Sequence, residues 1–401
     1  MDSAVLEWLR CPMCHGELEV VHQRTSSPSG RMRDGLLACR CCSRRYPVLE
    51  WIPRMLPRER LNEAERLAID ALGLKPDHES VPEIDPQQEE RRRTLERRLM
   101  EKRPPGRRIT SARPSQAGPE EAAPAGGEND DAAGAQFDGA AGTLLQTAQA
   151  HVSRRPHSVL VVGGGLDGTA SALQRHFLPQ RSMIVDHDPD GVELARLRNP
   201  ECIAIRAEPS HLPFADRAAD LLVATATLEH LPRWKTGLRE MVRVSEEGLV
   251  SYGPNRRFPF DMTRLDAPVL TWLPASTAAA FAWVHHRLKR NRRSLSSLRT
   301  EAKSFFYIPR QRVVHELKAL GCEVQNVFAD YLKHAGKEET GAWDQLLPRL
   351  PTLRRVSAHT LVLLAAEPSV CLFFRHAGEN QHGKRAREGE QKAPPDRDHA
   401  A

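Results

Sequence analysis

The chain reads as an α/β protein, a doubly wound and mostly parallel sheet preceded by a small cysteine-rich ribbon. Three observations predict it. Short apolar runs alternate with helix-like segments between residues 158 and 252, a rhythm that calls for parallel strands joined by right-handed crossovers. One such run enters a glycine-rich turn at Gly163-Gly164-Gly165 and leaves it as a helix. Ahead of that region, Cys11-Pro12-Met13-Cys14 and Cys39-Arg40-Cys41-Cys42 place two C-x-x-C pairs 24 residues apart.

The elements follow in order. The ribbon, residues 1–56, ends in the alternating run Tyr46-Pro47-Val48-Leu49-Glu50-Trp51-Ile52. A charged helical segment spans 57–103, with helices expected over Leu61–Leu72 and Gln87–Arg103 and with Pro76, Pro82 and Pro86 breaking the pattern between them. Its groups Arg91-Arg92-Arg93 and Arg97-Arg98 read as a solvated helix face, with phosphate contact as the alternative. Residues 104–141 are rich in Pro, Gly, Ala and acid, with Ile109 and Phe137 almost the only bulky apolar residues, too little apolar surface to offset the entropy of ordering, so a disordered linker is expected. A second such tail is expected over 377–401.

The main domain, 142–376, gives strands at Ser158–Val162, Ser182–Val185, Cys202–Arg206, Asp220–Ala226 and Gly248–Tyr252. Helices are expected at Gly168–Phe177, Gly191–Leu197 and Lys235–Val244. A further helix, Pro309–Leu320, ends at Gly321; Cys322–Phe328, Leu361–Ala366 and Val370–Phe374 would complete the sheet edge. The insertion 256–307 exceeds a simple connection and is expected to cap the strand ends.

Composition narrows the classes. With 58 Lys+Arg against 52 Asp+Glu, the 401 residues carry a formal +6, a small excess that permits an anionic partner without requiring one. A mean hydropathy of −0.51 agrees with part of the length being unfolded. Met1-Asp2-Ser3 lacks the basic start of a signal peptide, and the longest uncharged stretch, Ala267–Val284, is broken by Pro268 and Pro274. A cytoplasmic protein is therefore expected. Five of the eight cysteines lie in the first 42 residues, which in a cytosolic chain points to metal before disulfides. Two C-x-x-C knuckles, Cys11, Cys14, Cys39 and Cys42, supply four thiolates to one tetrahedral Zn²⁺ and leave no open position, so the metal would be structural. Cys41 is the spare, although a register through Cys39 and Cys41 stays open; His15 is read as a neighbour and not a ligand.

Leu9-Arg10-Cys11-Pro12-Met13-Cys14-His15-Gly16-Glu17-Leu18, then Cys39…Cys42, then Arg45-Tyr46-Pro47-Val48…Ile52-Pro53, resembles a small zinc-ribbon family. Its free-standing members activate tRNA, rRNA and release-factor methyltransferases. Glu50-Trp51-Ile52-Pro53 stands where that family has an acid, Gly, Ile and Pro.

Taken alone, Gly163, Gly165 and Gly168 fit any nucleotide site. Asp186 closes the next strand, where a carboxylate can hold both ribose hydroxyls; Glu208 follows the third strand, in Glu208-Pro209-Ser210-His211-Leu212-Pro213-Phe214-Ala215-Asp216. Asp220-Leu221-Leu222-Val223 and Leu228-Glu229-His230-Leu231 come next. The series resembles the class I S-adenosylmethionine-dependent methyltransferases, in particular the type 11-like group, over about residues 142–256. The resemblance implies that Gly163, Gly164 and Gly165 line the methionine part of S-adenosylmethionine, that Asp186 takes the ribose, and that Glu208 stands where an Asp usually contacts the adenine amine. Val161 replaces the usual acid before the glycines and Ala219 the usual aromatic before Asp220. Asp188 is expected to cap the following helix and Asp216 to be a turn residue.

The resulting expectation is methyl transfer by in-line displacement, catalysed mainly by positioning. An aminopropyl-type transferase on the same fold, suggested by the Val-Gly-Gly-Gly turn, and a non-catalytic cofactor-binding or RNA- or protein-interaction module are the alternatives. No catalytic residue is committed. His230 is the weak candidate, and Tyr252 and His285 are not separable from it as bases. The acceptor stays open among small molecule, lipid-linked compound, RNA and protein. Absence of an Asn-Pro-Pro-aromatic quartet and of Pro-Cys or Thr-Cys disfavours planar amino nitrogens and cytosine carbon. The aromatics of 256–307, followed by a basic run from His286 to Arg293, suggest weak contact with a membrane surface; RNA contact through basic segments is also open.

Overall fold

The computed structural model describes residues 1, 3–72, 79–80, 87–102, 144–163, 168–253, 255–257, 260–261, 267–268, 270–288, 294–303, 306–330 and 370–377. The expected linker 104–141, the strand Leu361–Ala366 and residues 378–401 of the expected tail lie outside them, as do Gly164 and Gly165.

In the ribbon, β1 (Leu18–Ser26), β2 (Met32–Cys39), β3 (Arg45–Leu49) and β4 (Ile52–Met55) pair antiparallel in succession. The alternating run at 46–52 is therefore two strands and not one. It reverses at Glu50 and Trp51, which take φ of +51° and +73°, the left-handed pair that a two-residue hairpin needs. Trp51 thus holds a conformation that glycine adopts at no steric cost. After the ribbon come α1 (Glu63–Leu72), β5 (Glu79–Ser80), parallel to β1, and α2 (Gln88–Lys102).

Of the basic groups of α2, Arg93, Arg97 and Arg98 are exposed, as a solvated face requires, whereas Arg91 and Arg92 are tied to acids. Leu95 and Leu99 pack on Leu194 and Leu197. Arg91 bridges Glu50 of the ribbon hairpin and Glu193, and Glu96 takes both Arg92 and Arg198. The segment straps the ribbon to the domain that follows.

That domain begins with helix α3 (144–151) and alternates as its periodicity requires: β6 (Ser158–Val162), α4 (Thr169–Phe177), β7 (Arg181–Asp186), α5 (Pro189–Arg198), β8 (Ile203–Ala207), β9 (Ala219–Thr225), α6 (Trp234–Val244) and β10 (Ser245–Tyr252). A cap holds β11 (Phe260–Asp261), β12 (Ala267–Pro268), α7 (Ala275–Leu288) and α8 (Leu295–Lys303). Next come α9 (Arg310–Ala319), β13 (Cys322–Asn326) and β14 (Val370–His376). The cap's helices close on their own cluster of Leu270, Ala278, Ala279, Ala282, Leu298 and Ala302.

The strands of one sheet run β13-β14-β10-β9-β6-β7-β8-β4-β3-β2-β1-β5. From β10 to β8 they are parallel, and β14 is antiparallel to both of its neighbours. This is the doubly wound, mostly parallel sheet that the alternating pattern predicts. Each central strand is buried on both faces: Leu160 and Val162 belong to one core cluster, Val159 and Val161 to the other, which explains their unbroken apolar runs.

The sheet does not stop at β8. Strand β4 lies parallel to it, with Arg54 opposite Arg206 and Met55 opposite Ala207. Nearer the N-terminus, the Arg10 N–H donates to Pro213 O and the Ala215 N–H to Trp8 O, each at 2.9 Å, burying Leu9 against Phe214. Leu9, Tyr46 and Val48 of the ribbon share a core cluster with Ile205 and Phe214.

Candidate functional site

Between β6 and β9 the strand order reverses, and in doubly wound sheets the crevice at that switch point, beyond the carboxyl ends of the strands, is where ligands bind. A cleft of about 640 Å³ opens there, a size suited to a nucleotide-class ligand. Gly163, Asp186, Glu208 and His230, which are remote in sequence, all line it.

Gly163 ends β6 at φ +81°. A Cβ there would overlap Thr227 Oγ1, which lies 2.9 Å from both Val162 O and Thr225 O. Conformation and space both demand glycine. The Gly163 N–H donates to Val185 O at 2.8 Å, tying the turn to the strand that ends in Asp186. The third wall departs from regular strand geometry too: Ala226, after β9, holds φ +47° and donates its N–H to Ser251 O.

The Asp186 carboxylate accepts the Asp188 N–H through Oδ1 at 3.0 Å, and its Oδ2 would lie 3.1 Å from a Cβ on Gly191. The acid is thus held over the start of α5. Asp188 occupies the position before that helix without a side-chain cap bond, contrary to the capping role expected of it; Pro189 pre-sets the first turn. His187 Nδ1 sits 3.4 Å from Asp186 Oδ1, and that carboxylate raises the imidazole above its ordinary value.

Glu208 is held from outside its own domain: Arg60, in the turn after the ribbon, contacts its Oε1 at 3.4 Å. A second tie lies deeper. Glu65 in α1 pairs with Arg206 of β8, whose Nε donates to His187 O at 3.1 Å; Arg54 of β4 approaches the same Glu65 oxygen at 3.5 Å. All three side chains are buried.

Of the base candidates, only His230 reaches the cleft lining. Tyr252 is buried at the end of β10, and His285 lies in α7 with its ring against His286. Glu229, buried beside His230, accepts the Gly253 N–H, and its own carbonyl accepts the Phe306 N–H at 2.6 Å, which tethers the end of the cap to this loop. Asp216 sits in a turn and pairs with Arg243. Sequence reasoning missed Arg60, Glu65, His187, Arg206 and Thr227. Thr227 lies one residue before the Leu228-Glu229-His230 group and His187 directly follows Asp186, so both could have been suspected; Arg60, Glu65 and Arg206 depend on how the ribbon docks.

The four predicted cysteines converge. Their sulfurs lie within 4.8 Å of one another, with Cys14–Cys39 at 3.5 Å and Cys11–Cys42 at 3.6 Å. Four thiolates at about 2.3 Å from a tetrahedral zinc would stand about 3.8 Å apart, so the set fits that ion. Cys41 is exposed and outside the set. A Cβ on Gly16 would lie 3.1 Å from Cys39 Sγ and 2.7 Å from Cys41 Cβ, so glycine is needed for the knuckles to close. Tyr46 Oη lies 3.1 Å from Cys11 Sγ, and burial raises the Cys11 thiol.

A doubly wound sheet with this crevice offers a nucleotide-type ligand site. Residues 160–250 match the family described as a methyltransferase domain. The chain is similar to 2-methyl-6-phytyl-1,4-hydroquinone methyltransferase of Spinacia oleracea, at 32% identity over 101 residues. That is 25% of this chain and 29% of the relative, so the chain spans less than a third of that protein's length. Among solved structures, YcgJ from Bacillus subtilis is similar at 17% identity and TM-score 0.33, over 59% of this chain and 98% of that one. The complex of the Haloferax volcanii Trm112 methyltransferase activator with a methyltransferase gives 13% and 0.35, over 61% and 95%. Phosphoethanolamine N-methyltransferase 2 of Haemonchus contortus, in complex with S-adenosyl-L-methionine, gives 14% and 0.35, over 58% and 51%. At such identities the likeness does not reach the acceptor. No described helix is long and apolar enough to cross a membrane.

Proposed function

We propose that the chain is an S-adenosylmethionine-dependent methyltransferase whose N-terminal ribbon is a structural zinc site acting in cis. The observation that carries the reading is convergence: a glycine that tolerates no Cβ, and two carboxylates at the ends of the next two strands, meet in one cleft at the switch point. When bound, the cofactor supplies a methyl group already activated by a sulfonium. The chain's part is to bind, orient and exclude water. Gly163 lets the backbone approach the ligand; Asp186, already oriented by the Asp188 N–H, accepts from ribose hydroxyls; Glu208, steadied by Arg60, faces the adenine end. His230 is the cleft residue placed to take a proton from an acceptor. The four cysteines hold zinc and keep β4 folded against β8.

Calorimetry on the zinc-loaded full chain tests the reading. S-adenosylmethionine and S-adenosylhomocysteine should both bind, the decarboxylated cofactor more weakly, and Asp186→Ala should weaken binding by about tenfold or more through loss of charge-assisted hydrogen bonds. Absence of binding by zinc-loaded wild-type protein would refute it.

A further inference from the structure

The cap turns its large apolar side chains outward. Along α7, Ala278, Ala279 and Ala282 face the cap's own cluster, whereas Phe281 and Val284 are 40% and 49% exposed, Leu288 is 80% exposed, and Trp272 just before the helix is 54% exposed. Phe281, Val284 and Leu288 stand three and four residues apart, on one stripe of the helix. A helix that buries alanine and exposes phenylalanine and leucine is built to be covered.

Charge indicates by what. No Asp, Glu, Lys or Arg occurs from residue 267 to 286, and the next 17 residues carry seven bases against one acid. Among the described residues of that stretch, Arg287, Arg299 and Lys303 are exposed; the guanidinium of Arg287 lies 4.8 Å from the Trp283 ring centroid. An apolar face that leads in sequence into a strongly basic segment suits a helix lying in the interface of an anionic bilayer. A second copy fits less well, because a two-fold dimer would set the same basic segment against itself.

We infer that α7 is a docking surface for an anionic membrane, with Phe281, Val284 and Leu288 entering the acyl boundary and the exposed bases Arg287, Arg299 and Lys303 available to phosphate headgroups. The Phe306–Glu229 hydrogen bond ties the end of the cap to the cleft loop, so a membrane-docked cap would hold the methyl-transfer cleft near the lipid surface. That last consequence rests on the methyl-transfer reading; the docking itself does not.

The test is co-sedimentation of the full zinc-loaded chain with phosphatidylcholine vesicles, with and without phosphatidylglycerol. Binding is expected only with the anionic lipid, weakening as salt rises. The double variant Phe281→Asp/Leu288→Asp should lower the partition about tenfold or more. Its melting temperature and its calorimetric affinity for S-adenosylmethionine should stay at wild-type values, which separates failure of docking from failure of the cofactor reading. No sedimentation at low salt, equal binding by the variant, or a dimer in light scattering that the variant abolishes would each overturn the inference. Equal binding to both vesicle types would remove the charge argument and overturn it as well.

Discussion

Replacing Glu65 is the most informative single perturbation of this molecule. Its carboxylate does two things at once. One oxygen accepts the Asn62 N–H at 2.9 Å while Asn62 Oδ1 accepts the Glu65 N–H at 2.8 Å, a reciprocal cap on α1. The other pairs with Arg206 and lies 3.5 Å from Arg54, so one anion stands between two cations that are each only 7% exposed. Glu65→Gln keeps the volume and a capping oxygen but leaves two buried guanidiniums facing each other. Breaking a buried pair in this way costs about 3–5 kcal/mol. Glu65→Ala loses the cap as well and should cost about 1 kcal/mol more. Urea unfolding of the zinc-loaded chain reads both values, with a fall in melting temperature of about 10 °C expected for the glutamine variant. The damage should also reach the cleft, because Arg206 holds His187 O and with it the turn that carries Asp186. Arg206→Lys keeps a charge but loses the Nε–H donor, and should weaken S-adenosylmethionine binding about tenfold. If Glu65→Gln unfolds within about 0.5 kcal/mol of wild type, the two cations do not depend on that carboxylate, and the coupling from ribbon to cleft is wrong.

Gly163→Ala should destabilise through both its positive φ and its overlap with Thr227 Oγ1. Adding Thr227→Ala, which leaves Thr225 O and the residue-227 Cβ each at 3.5 Å, should recover about 1–2 kcal/mol in a double-mutant cycle, and no recovery would refute the steric part. The zinc-loaded chain should release one equivalent of zinc to a chromogenic chelator; Cys42→Ser should abolish this and Cys41→Ser should not, and zinc removal should lower the melting temperature. His187 has its folded-state pKa raised by Asp186, so its stabilising contribution is present below the ordinary histidine value of ~6.5 and is lost as pH rises through the folded value. Wild type should therefore exceed His187→Asn in melting temperature by more at about pH 6 than at about pH 9, and the opposite trend would refute the pairing.

Local chemistry was legible wherever a side chain's role depends on its own chain neighbours. The uniform apolar runs at 159–162 and 183–185 announce strands covered on both faces, and the structure buries them so. Cysteine spacing in the two knuckles predicts convergence because each pair closes within one turn, and the sulfurs do converge. Asp186 and Glu208 reach the cleft because strand ends in a parallel sheet share one edge. The alternating run at 46–52 does not show its reversal for an equally local reason: Glu50 and Trp51 turn the chain with residues that seldom adopt positive φ, so no Asn-Gly pair marks the turn. Asp188 resembles a cap in sequence, yet its side chain makes no cap bond, and Pro189 pre-sets the first turn.

By itself the sequence determined the alternating sheet, the glycine turn, the order of the acids and the cysteine set, since each is written in periodicity or spacing over a few tens of residues. Only the tertiary structure decided that β4 extends the sheet beside β8, that Arg60 reaches Glu208 across 148 positions of chain, and that α7 shows its large apolar residues to the outside. The physical reason is that docking energy comes from pairing an open strand edge and burying charges between surfaces remote along the chain. No periodicity records such a partnership, because neither surface carries the pattern of the other.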